Sequence, residues 1–249
     1  MTLPVVDVRE ADPGVVQITM RDEEHRNTFS PQLVHGLIDA FAAVGTDPSY
    51  RAVVLTGYGP YFCTGGTREG LAMLHEGRGR FTDTGLYSLA LDCEIPVVSA
   101  MQGHGVGGGF VFGLFADVVL LSRESIYTTN FMKYGFTPGM GATCVLPAKL
   151  GPDLAQEMLL SARSFRGDEL ARRGVGLTVL PRAQVLPRAR ELAREIADKP
   201  RTALVALKEH LVRGLRRELP EVIEREVVMH GVTFHTPEVG ERIERRFGT

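Results

Sequence analysis

The 249-residue chain contains no tryptophan, three cysteines, and no lysine before Lys133. Cys63, Cys93 and Cys144 have no C-x-x-C spacing, so neither a zinc site nor a disulfide framework is indicated. No run of about 18 apolar residues exists to cross a bilayer. Met1-Thr2-Leu3-Pro4 lacks the basic and apolar regions of a signal peptide, which makes a cytoplasmic location the expectation. The net charge of −2 offers no basic surplus for a nucleic-acid partner. Internal repeats and low-complexity linkers are also missing. What is plentiful is glycine, 28 residues, set in a chain of 44% hydrophobic content that can bury a full core.

The glycines fall in two informative places. In QGHGVGGGF, Gln102 to Phe110, three consecutive glycines let a main-chain N–H approach a ligand with no Cβ in the way. The apolar run Phe110 to Phe115 reads as a buried helix whose N-terminal dipole points at the same spot. A second run, Tyr61-Phe62-Cys63-Thr64-Gly65-Gly66-Thr67, follows the strand-like Ala52 to Gly57 and can supply another amide. Together they suggest a two-amide oxyanion hole. Either run alone reads equally as a tight strand-to-helix turn. Cys63 lies beside the second run, but no base accompanies it and a nucleophile is not expected.

Local patterns outline the rest. Val5 to Arg9 and Val15 to Arg21 read as a hairpin across Ala11-Asp12-Pro13-Gly14. After Asn27-Thr28, Ser30 and Pro31 suit the N-cap and first position of a helix, with Leu33, Leu37, Ile38 and Phe41 on one face. Strand-like runs recur at Ala52 to Thr56, Pro96 to Met101 and Asp117 to Ser122 between helical segments, which implies stacked β-α units. After about Pro181 the strands stop. Three helices are expected there, marked by Val185 to Ile196, by Leu204 to Val212, and by the stripe Leu219, Ile223, Val227, His230 and Phe234.

The chain resembles the enoyl-CoA hydratase/isomerase (crotonase) superfamily from about Val5 to its C-terminus. The motifs are FCTGG (Phe62 to Gly66), IPVVSAMQGHGVGGGF (Ile95 to Phe110), FADVVLLSRESIYTTNFMKYGFTPGMGAT (Phe115 to Thr143) and LARRGVGLTVLP (Leu170 to Pro181). The resemblance implies an α/β crotonase fold: a spiral β-α core over residues 1–181, and a helical region over 182–249 that covers the active site and builds a homotrimer. It also implies that the amides of Gly66 and Gly108 hold a thioester carbonyl. Hydratases of the family carry two catalytic glutamates, and their positions here hold Val111 and Phe131. Neither can move a proton, so water addition by paired carboxylates is not expected.

LALDCEIP (Leu89 to Pro96), AMQGHG (Ala100 to Gly105), ESIYTTNFMKYGFTPG (Glu124 to Gly139) and MHGVTFH (Met229 to His235) resemble one branch, the decarboxylases of polyketide β-branching cassettes. That branch implies a 3-methylglutaconyl group held as a phosphopantetheine thioester on an acyl carrier protein, with no metal and no separate cofactor. Loss of carbon dioxide would leave a dienolate for the two amides to stabilise. His230 matches a histidine of that branch and is the candidate proton donor; its helical stripe also fits a core histidine. His235 should face elsewhere, at the surface.

Other candidates are less settled. Arg68, Arg78 and Arg80 lie in the wall after the first glycine segment, and each fits either a carboxylate anchor or a solvated loop. Relatives carry a lysine and a tyrosine in that wall. His104 either shapes the pocket or is structural, and Lys133 with Tyr134 either touches the acyl arm or lies at the surface. Val111 and Phe131 should line the reacting carbons. The C-terminal arginines and lysines, Arg182 to Arg217, fit a carrier-docking entrance or ordinary solvated helix faces. An enoyl-thioester isomerase and a non-catalytic carrier-docking relative are the rival readings.

Overall fold

A computed structural model describes residues 4–247 of the chain, with side chains to residue 245. The elements run β1 (Val6–Asp12), β2 (Val15–Met20), α1 (Pro31–Thr46), β3 (Ala52–Thr56), β4 (Tyr61–Cys63), α2 (Arg68–His75), α3 (Leu89–Asp92), β5 (Val97–Met101), β6 (His104–Val106), α4 (Gly108–Leu114), β7 (Val118–Ser122) and β8 (Ile126–Thr128). There follow α5 (Phe131–Tyr134), α6 (Ala142–Leu150), α7 (Pro152–Ser161), β9 (Phe165–Arg166), α8 (Gly167–Arg172), β10 (Thr178–Leu180), α9 (Arg182–Ala197), α10 (Arg201–Phe234) and α11 (Pro237–Phe247).

A six-stranded sheet has the order β1-β2-β3-β5-β7-β10, and a four-stranded sheet the order β4-β6-β8-β9. β2, β3, β5, β7 and β10 are parallel neighbours, with β1 antiparallel at the edge. Each turn of chain, β3 to β4, β5 to β6, β7 to β8, lays one strand in each sheet, so the core is a spiral of β-α turns. Tyr127 on β8 stitches the two sheets: its buried hydroxyl donates to the Met101 carbonyl at 2.8 Å and accepts the Ser122 N–H at 2.7 Å.

The alternation of strand residues explains the layers. Val53 and Leu55 of β3 enter the main core, whereas Ala52 and Val54 face a second cluster with Val185, Ala189, Ala193 and Ala197 of α9. Three alanines four residues apart form one smooth stripe, so α9 seats closely on the sheet. α9 therefore backs the sheet, and among the described residues of 182–249 only α10, through His230, reaches the cavity between the glycine segments.

Two expectations change in detail. Only Pro13 and Gly14 separate the first two strands, with Gly14 at φ +77°. The two helices expected around Leu211 and His230 are one 34-residue helix, α10, that runs through Pro220. An interior proline removes a backbone hydrogen bond at a cost of about 3 kcal/mol; burial of Leu219, Val222 and Ile223 around it offsets that cost. α1 starts as expected, with Ser30 Oγ accepting the Leu33 N–H at 3.1 Å.

Candidate active site

The parallel pairing of β4 with β6 sets the two glycine segments side by side. Gly109 shows how close they are: a Cβ there would lie 2.4 Å from the Cys63 carbonyl oxygen. Gly107, at φ +55°, turns the chain from β6 into α4 while its N–H donates to the Thr128 carbonyl at 2.8 Å. Buried Asn27 fixes the other segment, donating to the Met20 and Phe62 carbonyls at 3.0 and 2.9 Å and accepting the Asp22 N–H at 2.8 Å. Neither the Gly66 nor the Gly108 N–H has an acceptor among the described residues, and both glycines line one cavity of about 70 Å³.

The rest of that cavity is apolar and aromatic, with Phe29, Leu71, Phe81, Phe131, Phe136 and Met140 in its wall. Among the described residues no aspartate, glutamate, lysine or arginine lines it, and His230, on α10, is the one titratable nitrogen base there. Its Nδ1 lies 2.6 Å from the Thr137 carbonyl oxygen. A carbonyl only accepts, so Nδ1 carries the proton and the lone pair of the neutral ring sits on Nε2. Nε2 is buried and has no hydrogen-bond partner among the described residues.

The ring is held by aromatic neighbours: Phe234 stacks at 4.3 Å, and Phe81 and Phe136 meet it edge-on at 4.9 and 5.5 Å. Desolvation lowers the His230 pKa below the ordinary histidine value, only partly countered by the Thr137 hydrogen bond. The ring is packed on the helical stripe, as a core histidine would be, yet its Nε2 has no partner among the described residues. His235 is exposed, with its Nδ1 donating to the His75 carbonyl at 2.8 Å.

Of the sequence-predicted residues, Gly66, Gly108, Phe131 and His230 meet at this cavity. Five do not. Val111 is fully buried in the core, since two residues past the glycines the α4 face has turned away from the cavity. Arg68 forms an ion pair with Glu244, because α11 packs along α2. His104 accepts the Ile126 N–H on Nδ1 at 2.9 Å and, with Lys133, lines a separate groove. Lys133 Nζ reaches Ser164 Oγ at 3.4 Å, on the far side of α5 from the amides. Arg80 lies in an adjoining cavity. Tyr134 walls both the amide cavity and the groove.

Phe81, Phe136, Met140 and Asn130 complete the lining and were not singled out from sequence. Phe136 and Met140 belong to the quoted FTPGM segment, which was the available signal. Cys63 is fully buried and its pKa is pushed up to about 12 by desolvation, so it stays an inert thiol. Among the described residues no cluster of three or more histidine, cysteine or acidic side chains could hold a metal.

The C-terminal basic residues are mostly engaged. Arg188 pairs with Glu191 and Glu195, Arg194 with Asp12, Arg201 with Glu94 and Arg216 with Glu209. Lys208, expected at the surface, is 3% exposed, with Nζ 2.8 Å from Asp117 Oδ2 and bonded to the Ala90 and Ile95 carbonyls.

A family model described as enoyl-CoA hydratase/isomerase matches residues 10–246. The chain is 59% identical over 248 residues to the bacillaene synthase decarboxylase PksI of Bacillus subtilis, covering 100% of both chains. It is 31% identical to the carnitinyl-CoA dehydratase of Proteus mirabilis, over 79% of this chain and 76% of the relative. A solved structure from a dehydratase/decarboxylase enzyme couple involved in polyketide β-branching superposes with a TM-score of 0.97 at 59% identity, over 98% of this chain and 100% of the other. The decarboxylase domain of CurF from Lyngbya majuscula gives 0.94 at 48% identity, over 98% and 100%.

Proposed function

The chain belongs to the enoyl-CoA hydratase/isomerase family and is a decarboxylase of polyketide β-branching; from that premise we propose that its substrate is a 3-methylglutaconyl thioester on the phosphopantetheine arm of an acyl carrier protein. The observation that carries this reading is a cavity with two acceptor-free amides and one unsatisfied imidazole nitrogen, and with no carboxylate in its wall.

The thioester oxygen takes the Gly66 and Gly108 N–H groups. The bond between the γ carbon and the distal carboxylate breaks. Its electron pair shifts through the alkene onto the thioester oxygen, and neutral carbon dioxide leaves a dienolate anion. The amides are strongest where that charge develops, and removing one such donor costs about a hundredfold to a thousandfold in rate. No base is required, because carbon dioxide leaves in place of an abstracted proton. The dienolate then takes a proton at the γ carbon to give the 3-methylcrotonyl thioester.

His230 delivers that proton from Nε2 as the imidazolium. The neutral tautomer seen here has no proton on that atom, so the ring must take one up before or with the anionic substrate. Phe131, Phe136 and Met140 keep bulk water from the dienolate.

The reading needs no metal and no cofactor beyond the carrier's phosphopantetheine. It includes a homotrimer in the cytoplasm, supported by Leu207, Leu211 and Val232 of α10, which are 57%, 71% and 76% exposed, and by the lack of any helix among the described residues long and apolar enough to cross a membrane.

Mass spectrometry of 3-methylglutaconyl-carrier protein incubated with the enzyme tests the reaction. Loss of carbon dioxide is expected with the wild type, and slowed or misplaced protonation with His230→Ala. An unchanged mass would overturn the decarboxylase reading in favour of isomerisation or of docking without turnover.

A further inference from the structure

A stacked imidazole is held in its plane but not in one orientation within that plane. Phe234 lies over the His230 ring at 4.3 Å, and Phe81 and Phe136 meet it edge-on. All three present hydrocarbon. Rotating the terminal torsion by 180° leaves such a stack almost unchanged, because that torsion is broad and roughly two-fold. The same rotation exchanges Nδ1 with Cδ2 and Nε2 with Cε1. With aromatic contacts alone, the ring would present a carbon as readily as a nitrogen.

The contact that breaks this symmetry is the Thr137 carbonyl, 2.6 Å from Nδ1. Its direction is restricted from both sides. Pro138 follows, and a residue before proline is held in extended conformations. On the other side, the Thr137 N–H donates to Thr233 Oγ1 at 3.2 Å and has no other acceptor among the described residues. Thr233 stands three residues beyond His230 on α10, so the two share a face. Its hydroxyl donates to the His230 carbonyl at 3.2 Å, which leaves its lone pairs for the Thr137 N–H and for the Thr137 hydroxyl, 3.1 Å away. One side chain thus ties residue 137 to the helical turn that carries the ring.

We propose that Thr233 is a positioning residue for the protonation step: it holds Thr137, the Thr137 carbonyl selects one of the two flips of the His230 ring, and Nε2 rather than Cε1 is thereby presented to the dienolate. The assignment rests on His230 as the proton donor. The arrangement suits both charge states of the ring. Nδ1 carries a proton in the neutral tautomer and in the imidazolium alike, so its bond to Thr137 persists while Nε2 gains and loses a proton. No reorientation separates uptake from delivery.

Thr233→Val exchanges the hydroxyl for a methyl group of similar shape. With the 3-methylglutaconyl thioester this variant is expected to lose kcat roughly tenfold, the worth of one hydrogen bond, with KM unchanged. NMR of the product should show more of the β,γ-alkene, which forms when the α carbon takes the proton instead. Thr233→Ser should restore both. Thr236→Val removes another hydroxyl from the same helix end, one that donates to the Thr233 carbonyl at 3.1 Å without touching Thr137, and should match the wild type in both. The ring is read independently of catalysis by ¹⁵N NMR of histidine-labelled protein, with His230→Gln identifying its signals. The wild type should carry its proton on Nδ1, and Thr233→Val should show a mixture of tautomers. A wild-type tautomer in Thr233→Val, or a Thr236→Val protein equally impaired, would overturn the proposal. Mixed tautomers with unchanged kcat and product would instead sink the assignment of His230 as proton donor.

Discussion

Replacement of Glu226 by alanine should weaken both the fold and the catalytic step, because one buried carboxylate ties α10 to the cavity wall. Glu226 is 2% exposed. Its Oε2 accepts the Gly141 N–H at 2.7 Å, and its Oε1 accepts the Thr143 N–H at 2.7 Å and the Thr143 hydroxyl at 2.6 Å. The carboxylate thus caps the start of α6 from another helix. The segment it holds includes Gly139 and Met140 of the cavity, and His230 lies one helical turn further along α10.

Alanine leaves the buried Gly141 N–H and the part-buried Thr143 N–H and hydroxyl without their acceptor. At about 1–3 kcal/mol for each unsatisfied group, with some rescue by water, the loss comes to about 3–5 kcal/mol. That is a large part of the 5–15 kcal/mol by which domains are typically stable. With a urea m-value of about 3 kcal/mol/M, the unfolding midpoint should fall by about 1–1.7 M. Glu226→Gln keeps one carbonyl acceptor but turns an NH₂ toward a donor, so an intermediate midpoint is expected. In carbon dioxide release assays both variants should lose kcat more than KM, since it is the seating of His230 that is disturbed. A Glu226→Ala protein with wild-type midpoint and kcat would refute the argument.

Three further outcomes follow from the geometry. Catalysis that needs the His230 imidazolium should lose kcat/KM as pH rises through a free-enzyme pKa below the ordinary histidine value, and His230→Gln should flatten the profile. The stability effect has the opposite sign. The unfolded chain binds more protons than the folded one between the lowered folded pKa and the unfolded value, so this contribution is present above the unfolded value and is lost as pH falls through that window; thermal melts of His230→Phe should show less acid sensitivity. Gly109→Ala puts a Cβ 2.4 Å from the Cys63 carbonyl oxygen and must push the two amide segments apart, so carbon dioxide release should fall by about a hundredfold or more even where circular dichroism shows a folded protein. Lys208→Met leaves Asp117 and two carbonyls without their buried cation; about 3 kcal/mol of stability should be lost in denaturant titrations, with little change in KM for any soluble protein that remains.

The parts of the site that sequence discloses are those written in local rules. Glycines at 65–66 and 107–109 announce close backbone approach, and Ser30-Pro31 announces a helix start. The strands at 52–56, 97–101 and 118–122 announce themselves by apolar runs. What is hidden depends on contacts far apart in the chain. The bond from His230 to Thr137 spans 93 residues and that from Glu226 to Gly141 spans 85, and no local pattern signals either. Nearness in sequence also misleads on helices, where successive residues point about 100° apart. On α5, Phe131 and Tyr134 share a face and both reach the cavity, while Lys133 between them does not. The second sheet was invisible for a different reason: β4, β6 and β8 are three residues each and β9 two, too short for a period of two to register.

The replacement of both hydratase carboxylates has a physical reason beyond the loss of hydration. A glutamate at position 131 would sit in an apolar cavity opposite a substrate that arrives as a carboxylate and reacts through an anionic dienolate. Two like charges about 4 Å apart repel by about 4 kcal/mol at an effective dielectric constant near 20, roughly a thousandfold in binding or rate. The carboxylate would relieve that repulsion by holding a proton, and a neutral acid beside a dienolate would compete with His230 for where the proton lands. Phe131 removes the charge and the competing donor, which on the proposed reading leaves the two amides to meet the negative charge and one imidazole to meet the carbon.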